Sequence, residues 1–199
     1  MIVDLHNHSR KSKNTTLKLR NYISAYQLLD SEEQVALGIT EHNAVSSKSG
    51  VYEGLLVLPG MEVLNDYGDF LVYGVTEEVL QHRKIKHLVA EVHKQGGVII
   101  AAHPFRSNGV FNMLPKNKAE RVIELMDAVE VKNGRGNPKT WAKAEVLASR
   151  FDKPMVAGSD AHLPGEEFHT GTLFEDEISS VADLVRAIQQ GRCRAVTIR

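Results

Sequence analysis

The sequence predicts an α/β fold: one domain of 199 residues with a largely parallel sheet. Three observations predict it. Short apolar or β-branched runs alternate with helical stretches of about ten residues, the pattern of successive βα units. Several of the runs are apolar throughout, as strands covered on both faces are. Glycines follow the ends of helical stretches, at Gln95-Gly96-Gly97 and Gln190-Gly191, where a left-handed residue closes a helix.

Taken in order, the predicted strands are Ile2–Leu5, Leu37–Thr40, Leu55–Leu58, Leu71–Gly74, Val98–Ala102, Ala128–Val131, Met155–Ala157 and Ala195–Ile198. The predicted helices are Asn21–Leu29, Ser31–Ala36, Glu78–Gln95, Lys118–Met126, Lys139–Arg150 and Val181–Gln190. Ser179 or Ser180 is placed to cap the last of them. Ser9–Thr16 is basic, polar and aperiodic, and reads as a loop. Arg106–Asn117 reads as a second loop, punctuated by Gly109 and Pro115. Neither a Pro/Gly/Ser-rich linker nor a fixed-period repeat divides the chain, so residues 1–199 read as a single domain.

Composition narrows the function. Apolar residues make up 42% and charged residues 25%, as in a soluble globular domain. A formal net charge of −1 argues against a strongly electrostatic binder of nucleic acid or membrane. The apolar runs are too short to span a bilayer, and the start of the chain reads as a strand rather than a leader. A single cysteine, Cys193, forms no internal disulfide, so the expected setting is cytoplasmic. Flanked by Arg192 and Arg194, Cys193 reads as a small buried residue rather than a nucleophile.

The chemistry concentrates at strand ends. His6-Asn7-His8 and Asp160-Ala161-His162 each follow a short apolar strand, about 150 residues apart. Residues i and i+2 of a strand face one side, so each pair presents two ligands together. Imidazole nitrogen with carboxylate oxygen is the donor mix of Zn, Mn and Fe. Further candidates fall in the same class of position: His42 after Leu37–Thr40, Glu62 after Leu55–Leu58, and His103 after Val98–Ala102. Asp69 opens the strand in GDFLVYG. One H-x-H arises easily by chance; five strand-end histidines with Glu62 and Asp160 do not. His82, His87 and His93 lie instead in a helical stretch and read as solvated.

The motifs IVDLHNHS, GITEHN, PGMEV, AAHPF, VEVKNGR and GSDAH, in this order, resemble the series of the PHP (polymerase and histidinol phosphatase) domain across nearly the whole chain. The resemblance implies a distorted (β/α)7 barrel. It implies two or three divalent ions (Mn, Zn or Fe) at the C-terminal strand ends, and hydrolysis of phosphate esters. Carried over by position, His6, His8, Glu62 and Asp160 would hold one ion, with Glu62 bridging. His42, His103 and His162 match further ligand positions, and Asp69 matches a position where many members place a ligand. The chain departs from the pattern at Lys13 and Asn14, where an acidic residue or His is usual. It departs again at Glu41, where Asp is usual, and in VEVKNGR, where some members have a His. There an amide or a vacancy is expected, with Glu130 and Asn133 as the nearby polar residues.

Hydrolysis of an anionic ester needs cations near the phosphoryl oxygens. Arg106 in HPFR is the first choice for a phosphate clamp, Arg135 in NGRGN the second, and Arg10 with Lys11 the third. His169 is a candidate proton donor to the leaving group. The expected function is a metal-dependent phosphoesterase acting on a small phosphorylated molecule or a nucleotide. Two other functions compete with it: an exonuclease on RNA or DNA ends, and a non-catalytic metal-binding PHP module.

Overall fold

The structure, a computed structural model, describes residues 1–12 and 14–199; the Lys13 departure lies outside the described residues. The elements run β1 Ile2–Asp4, α1 Leu19–Gln27, β2 Val35–His42, β3 Gly50–Tyr52, β4 Leu55–Asn65 and β5 Gly68–Tyr73. A 3-10 turn, Glu77–Gln81, follows, then α2 Ile85–Lys94, β6 Val98–Ala101, α3 Val110–Met113, α4 Lys116–Leu125 and β7 Ala128–Asn133. The chain ends with α5 Pro138–Arg150, β8 Met155–Gly158, β9 Thr170–Phe174, α6 Val181–Gln189 and β10 Cys193–Thr197. No helix among the described residues is long and apolar enough to cross a membrane.

The strands form one sheet in the order β10-β9-β1-β2-β4-β5-β6-β7-β8, with β3 paired to β4. β8, at one end of the sheet, curls round to meet β1. The β1 and β8 ends meet through Leu5 N–H to Ala157 O at 3.4 Å, His8 N–H to Ala161 O at 3.3 Å and a parallel bridge between Asn7 and Ala161. The result is the nearly closed, distorted barrel that the motif series implies. It is less parallel than the alternation predicts. β1–β2, β2–β4, β6–β7 and β7–β8 are parallel, whereas β4–β5, β5–β6, β1–β9 and β9–β10 are antiparallel. The cause is local: Asn65–Gly68 is a tight turn, with Gly68 at φ +135°, so β5 returns beside β4 without a crossover helix.

Other elements differ from expectation as well. Ser31–Ala36 is not a helix. Gln34 O accepts the Ile2 N–H at 2.9 Å and Val35 pairs with Ile2, so parallel pairing with β1 draws this segment into β2. The Glu78–Gln95 stretch breaks at His82, where ψ is 87°, into a 3-10 turn and α2. The Arg106–Asn117 loop contains α3 and the start of α4.

Inside the barrel, Tyr73 is fully buried and donates its hydroxyl to Leu5 O at 2.6 Å. A Cβ on Gly38 or Gly60 would lie 2.2 or 2.6 Å from Tyr73 atoms, so both glycines make room for this ring. Leu184, Val185 and Ile188 of α6 join Val3, Leu5, Leu71, Tyr73 and Ile100 in one buried cluster. α1 covers another face, with Tyr22 buried beside Leu37, Val57 and Phe168. Apolar burial on both sides of the strands supplies the stability that lets their ends carry polar groups.

β9 seals the seam by side chains. Thr172 Oγ1 accepts the Ala157 N–H at 2.8 Å and donates to Ala157 O at 3.0 Å, and Thr170 Oγ1 donates to Gly158 O at 2.8 Å. All four residues of this contact are buried. Thr172→Val keeps the shape and removes both bonds to Ala157. It should cost about 1–3 kcal/mol per unpaired buried group, read as a lowered urea midpoint. An unchanged midpoint would remove the seam from the account of stability.

Candidate metal centre

β1, β2, β4, β6 and β8 all end at one rim of the barrel, and their terminal residues converge there. His6 and His8 follow β1, His42 and Glu62 stand on β2 and β4 and are paired in register, His103 follows β6, and Asp160 and His162 follow β8. Two of these ligand residues have left-handed backbones, His103 at φ 26° and Asp160 at φ 55°. Each is pinned: Asp160 N–H donates to His6 O at 2.6 Å, and His103 N–H to Glu130 Oε2 at 2.7 Å. A Cβ on Gly158 would fall 2.4 Å from His6 N, so glycine is required where β8 presses on β1. Asp4 ties the same seam: Ser159 donates its N–H and its hydroxyl to the Asp4 carboxylate at 2.8 and 2.5 Å. Burial pushes the Asp4 carboxyl up to about 6, against the pull of these hydrogen bonds.

Glu62 lies at the centre. Its Oε1 is 3.4 Å from His6 Nε2 and 3.3 Å from His103 Nε2; its Oε2 is 3.4 Å from His8 Nε2 and 3.0 Å from His42 Nε2. Asp160 Oδ1 is 3.6, 3.3 and 3.4 Å from His6 Nε2, His8 Nε2 and His162 Nδ1. Three ligand groups result: His8 with His42 and His162; His6 with Glu62 and His103; His6 with His8 and Asp160. Within each, the ligand atoms lie within 4.8 Å of one another.

His6 Nε2 and His8 Nε2 are buried without a hydrogen-bond partner, although both face carboxylates. An orphaned imidazole nitrogen in a dry pocket is costly, and a cation between the rings and the carboxylates removes the cost. The donor set therefore fits divalent metal.

The electrostatics agree. Burial works against ionisation at Glu62 and Asp160, yet the imidazoles, His6 first, hold both carboxylates below the usual range, Glu62 far below it. Burial lowers His6 but the Glu130, Asp160 and Glu62 carboxylates outweigh it and raise the ring well above its ordinary value. A hydrogen bond to Glu62 raises His42, and at His103 the same carboxylate overcomes burial. Burial lowers His8 and His162, with the neighbouring charges of His8 and then Arg135 adding to the fall at His162.

Around the ligands runs a polar ring that the motifs only partly indicate. Glu130 Oε1 accepts from His6 Nδ1 at 3.0 Å, which turns Nε2 toward the centre. Asn133, the amide expected in VEVKNGR, donates to Glu130 Oε2 at 3.1 Å and to Asp160 Oδ2 at 3.3 Å. Arg106 Nη1 donates to Asn133 Oδ1 at 2.5 Å and to Asp160 Oδ2. Glu41 points away from the ligands. Its carboxylate accepts from the backbone and hydroxyls of Ser9 and Ser12, fixing the loop after β1.

The other anticipated residues take these places. Asp69 Oδ2 is 4.0 Å from His103 Nε2, at the margin of the centre and outside the three ligand groups. Arg135 is exposed at the end of β7. His169 is half-buried just before β9, and its hydrogen bonds among the described residues run through its backbone, from N–H to Ser159 Oγ and from Ile198 N–H to its carbonyl. Trp141 is half-buried and donates its indole N–H to Asn133 O at 3.0 Å, bracing the polar ring. Burial pushes the Cys193 thiol up to about 11, the behaviour of an inert buried residue. Glu130 has no strand-end signal of its own. Only its place within VEVKN, on a strand apolar at Val129 and Val131, sets it apart.

A barrel with clustered imidazoles and carboxylates at one strand rim defines the class. The PHP_C family, described as PHP-associated, matches residues 140–193. The uncharacterized protein MJ0417 of Methanocaldococcus jannaschii is 29% identical over 169 residues, 82% of this chain and 66% of that protein. The chain thus spans less than two thirds of that relative's length. Among solved structures, PsfC from Pseudomonas syringae superposes with a TM-score of 0.75 at 18% identity, covering 98% of this chain and 91% of that one. A two-domain protein from Bacteroides vulgatus containing a predicted PHP-like metal-dependent phosphoesterase gives 0.71 at 19%, covering 100% and 65%. The lesion-specific endonuclease PfuEndoQ from Pyrococcus furiosus gives 0.69 at 15%, covering 98% and 57%. These structural likenesses are of fold. The chain shares the barrel fold of these structures, and the family match covers residues 140–193.

Two outcomes follow for the pocket. Glu130→Gln places an amide N–H against groups that already donate, so divalent-ion affinity should fall about 10–100-fold. Calorimetric titration with Mn²⁺ checks this, and wild-type affinity would remove Glu130 from the centre. Metal must displace protons from the raised rings of His6, His42 and His103. A raised ring keeps its proton to higher pH, so Mn²⁺ affinity should climb as pH rises through the histidine range, with proton release on binding. Flat affinity from pH 5.5 to 8 would contradict the ligand set.

Proposed function

We propose that the protein is a metal-dependent hydrolase of phosphate esters, acting on a small phosphorylated molecule or a nucleotide. The observation that carries this reading is the cluster of five histidines, four of them buried, around Glu62 and Asp160 at one barrel rim, where the family resemblance places phosphoesterase chemistry. His6, His8, His42, His103 and His162 would hold the ions with the two carboxylates, Glu62 offering one oxygen to each side. The bound ions would supply an activated water and positive charge for the phosphoryl oxygens. Mn, Zn and Fe all suit this donor set.

The chain's own residues arrange the rest. Arg106 is half-buried beside Asp160, and its unpaired guanidinium nitrogens are available to a phosphoryl oxygen in the bidentate manner of arginine. Arg135 stands further out, as a second cation near His162. A cleft of about 420 Å³ adjoins the centre on the side of His42 and Asp69, with Lys11, Asn14, Asn43 and Asn108 in its walls. Amides and one ammonium there would hydrogen-bond the body of a small ester. His169 stays a proposed proton donor, reached from the solvent side of β9.

A second reading is cleavage at nucleic-acid ends, favoured by the structural likeness to the endonuclease from Pyrococcus furiosus. Extended single strands bind on basic grooves set with aromatic rings. Among the described residues the cleft has no phenyl or indole wall, which favours the small ester.

Phosphate release in Mn²⁺ is the test, with histidinol phosphate, mononucleotides, nucleotide bisphosphates and 5′-phosphorylated oligonucleotides as substrates. The wild type should release phosphate from at least one, and chelation should abolish release. Asp160→Ala should lose turnover by at least 10³-fold, the scale of removing a ligand to the activating ion. Full activity in Asp160→Ala would overturn the site. Release only from oligonucleotides would select the second reading.

A further inference from the structure

His6 and His8 each bury an Nε2 that has no hydrogen-bond partner, yet their opposite nitrogens are held differently. His6 Nδ1 meets the Glu130 carboxylate at 3.0 Å, which can only accept, so the ring carries its proton there. His8 Nδ1 lies 3.3 Å from Ser12 Oγ. A hydroxyl both donates and accepts, so this partner alone does not fix the ring. Which nitrogen of a neutral imidazole is protonated is set by the bond that the other makes. The direction of the Ser12 hydroxyl therefore decides what His8 Nε2 can do.

The loop after β1 fixes that direction. Glu41, buried on β2, accepts the Ser12 hydroxyl at 2.6 Å and the Ser12 N–H at 3.0 Å. It also accepts the Ser9 N–H and hydroxyl. The His42 N–H donates to Ser12 Oγ at 2.9 Å, and a backbone N–H cannot be turned round. A serine hydroxyl has one proton and two lone pairs. Glu41 takes the proton, and the His42 N–H takes one lone pair. The second lone pair is left for His8, whose Nδ1 must then carry the proton. His8 Nε2 is bare as a result. It faces Glu62 Oε2 at 3.4 Å and Asp160 Oδ1 at 3.3 Å without a hydrogen bond to either, so a proton there would gain little.

We propose that Ser12 and Glu41 form a relay that holds His8 in its Nδ1–H tautomer and keeps Nε2 open to a cation. Both are positioning residues, acting on the pocket through the ring. A reversed hydroxyl would place the proton on Nε2, where a cation must displace it. The relay's purpose rests on the pocket's being a metal centre; the tautomer itself belongs to the metal-free protein.

The test is the tautomer of His8, read from ring-nitrogen NMR shifts of chelator-stripped, histidine-labelled protein at a pH where the ring is neutral. His8→Gln identifies the signal by its loss. Wild type should show a protonated Nδ1 and a bare Nε2. Ser12→Ala should move the proton toward Nε2, and its Mn²⁺ affinity by calorimetry should fall about 10-fold. Ser9→Ala loosens the same loop without touching Ser12 Oγ, and should keep both the tautomer and the affinity. A wild-type ring protonated on Nε2, Ser12→Ala still protonated on Nδ1, or Ser9→Ala shifting as far as Ser12→Ala would each overturn the proposal. Circular dichroism checks folding; if Ser12→Ala does not fold, Ser12→Cys keeps the volume and its weakly bonding thiol gives the same reading. Phosphate release from the metal-loaded wild type separates this from the functional reading. The Nδ1–H form without release leaves the relay standing and counts against the esterase; the Nε2–H form with release sinks the relay alone.

Discussion

The meeting of β1 with β8 is the contact on which the rest of this molecule depends. His6 O accepts the Asp160 N–H, Gly158 presses against the His6 backbone, and Ser159 closes on the buried Asp4 carboxylate. These bonds bring together two segments separated by almost the whole chain. Without them His6 and His8 would end one strand, Asp160 and His162 another, and neither pair could complete a metal site. The barrel closes for the sake of packing, through Tyr73 and the apolar layers on either side of the strands. The same closure sets the distances between ligands, so stability and site geometry rest on one seam.

Gathering five imidazoles and two carboxylates in a nearly dry pocket has a cost that the fold alone does not repay. Desolvation opposes every charge there, and three ring nitrogens, His6 Nε2, His8 Nε2 and His103 Nδ1, are left without a hydrogen-bond partner among the described residues. Left-handed backbones at His103 and Asp160 add strain of about 1–3 kcal/mol each. Strain and orphaned donors persist only where surrounding structure over-determines them, and here the Glu130–Asn133–Arg106 ring does so. Such a pocket is prepared for ligands it does not itself contain.

Much of this was legible in the sequence because it depends on strand ends. An apolar run followed by His, Glu or Asp announces both the strand and a candidate metal-binding side chain beyond it, and His6, His8, His42, Glu62, His103, Asp160 and His162 all follow that rule. What stayed hidden depends on partners distant in sequence. β9 carries Thr170, Gly171 and Thr172 where an apolar run would be expected, since its threonines serve the β8 backbone. Ser31–Gln34 has the polar, helix-forming look of a first turn, yet pairing with Ile2 overrides local propensity. Glu130 sits in a strand where a charged residue seems misplaced until His6 and the His103 amide are seen to converge on it.

Arg106 joins these levels. In the sequence it is a cation one turn beyond a ligand histidine, which suggests a hand for phosphate. In the structure part of that hand is already occupied, because Nη1 bonds the same Asp160 that faces His6 and His8. A guanidinium has five N–H donors in a fixed plane, so one nitrogen can hold a protein carboxylate while the others face outward. The charge that positions Asp160 is then also the charge an anionic ester would meet beside the metal centre. A lysine could supply the charge but not both geometries, and it is the shared plane of the guanidinium that couples the order of the ligands to the approach of an anion.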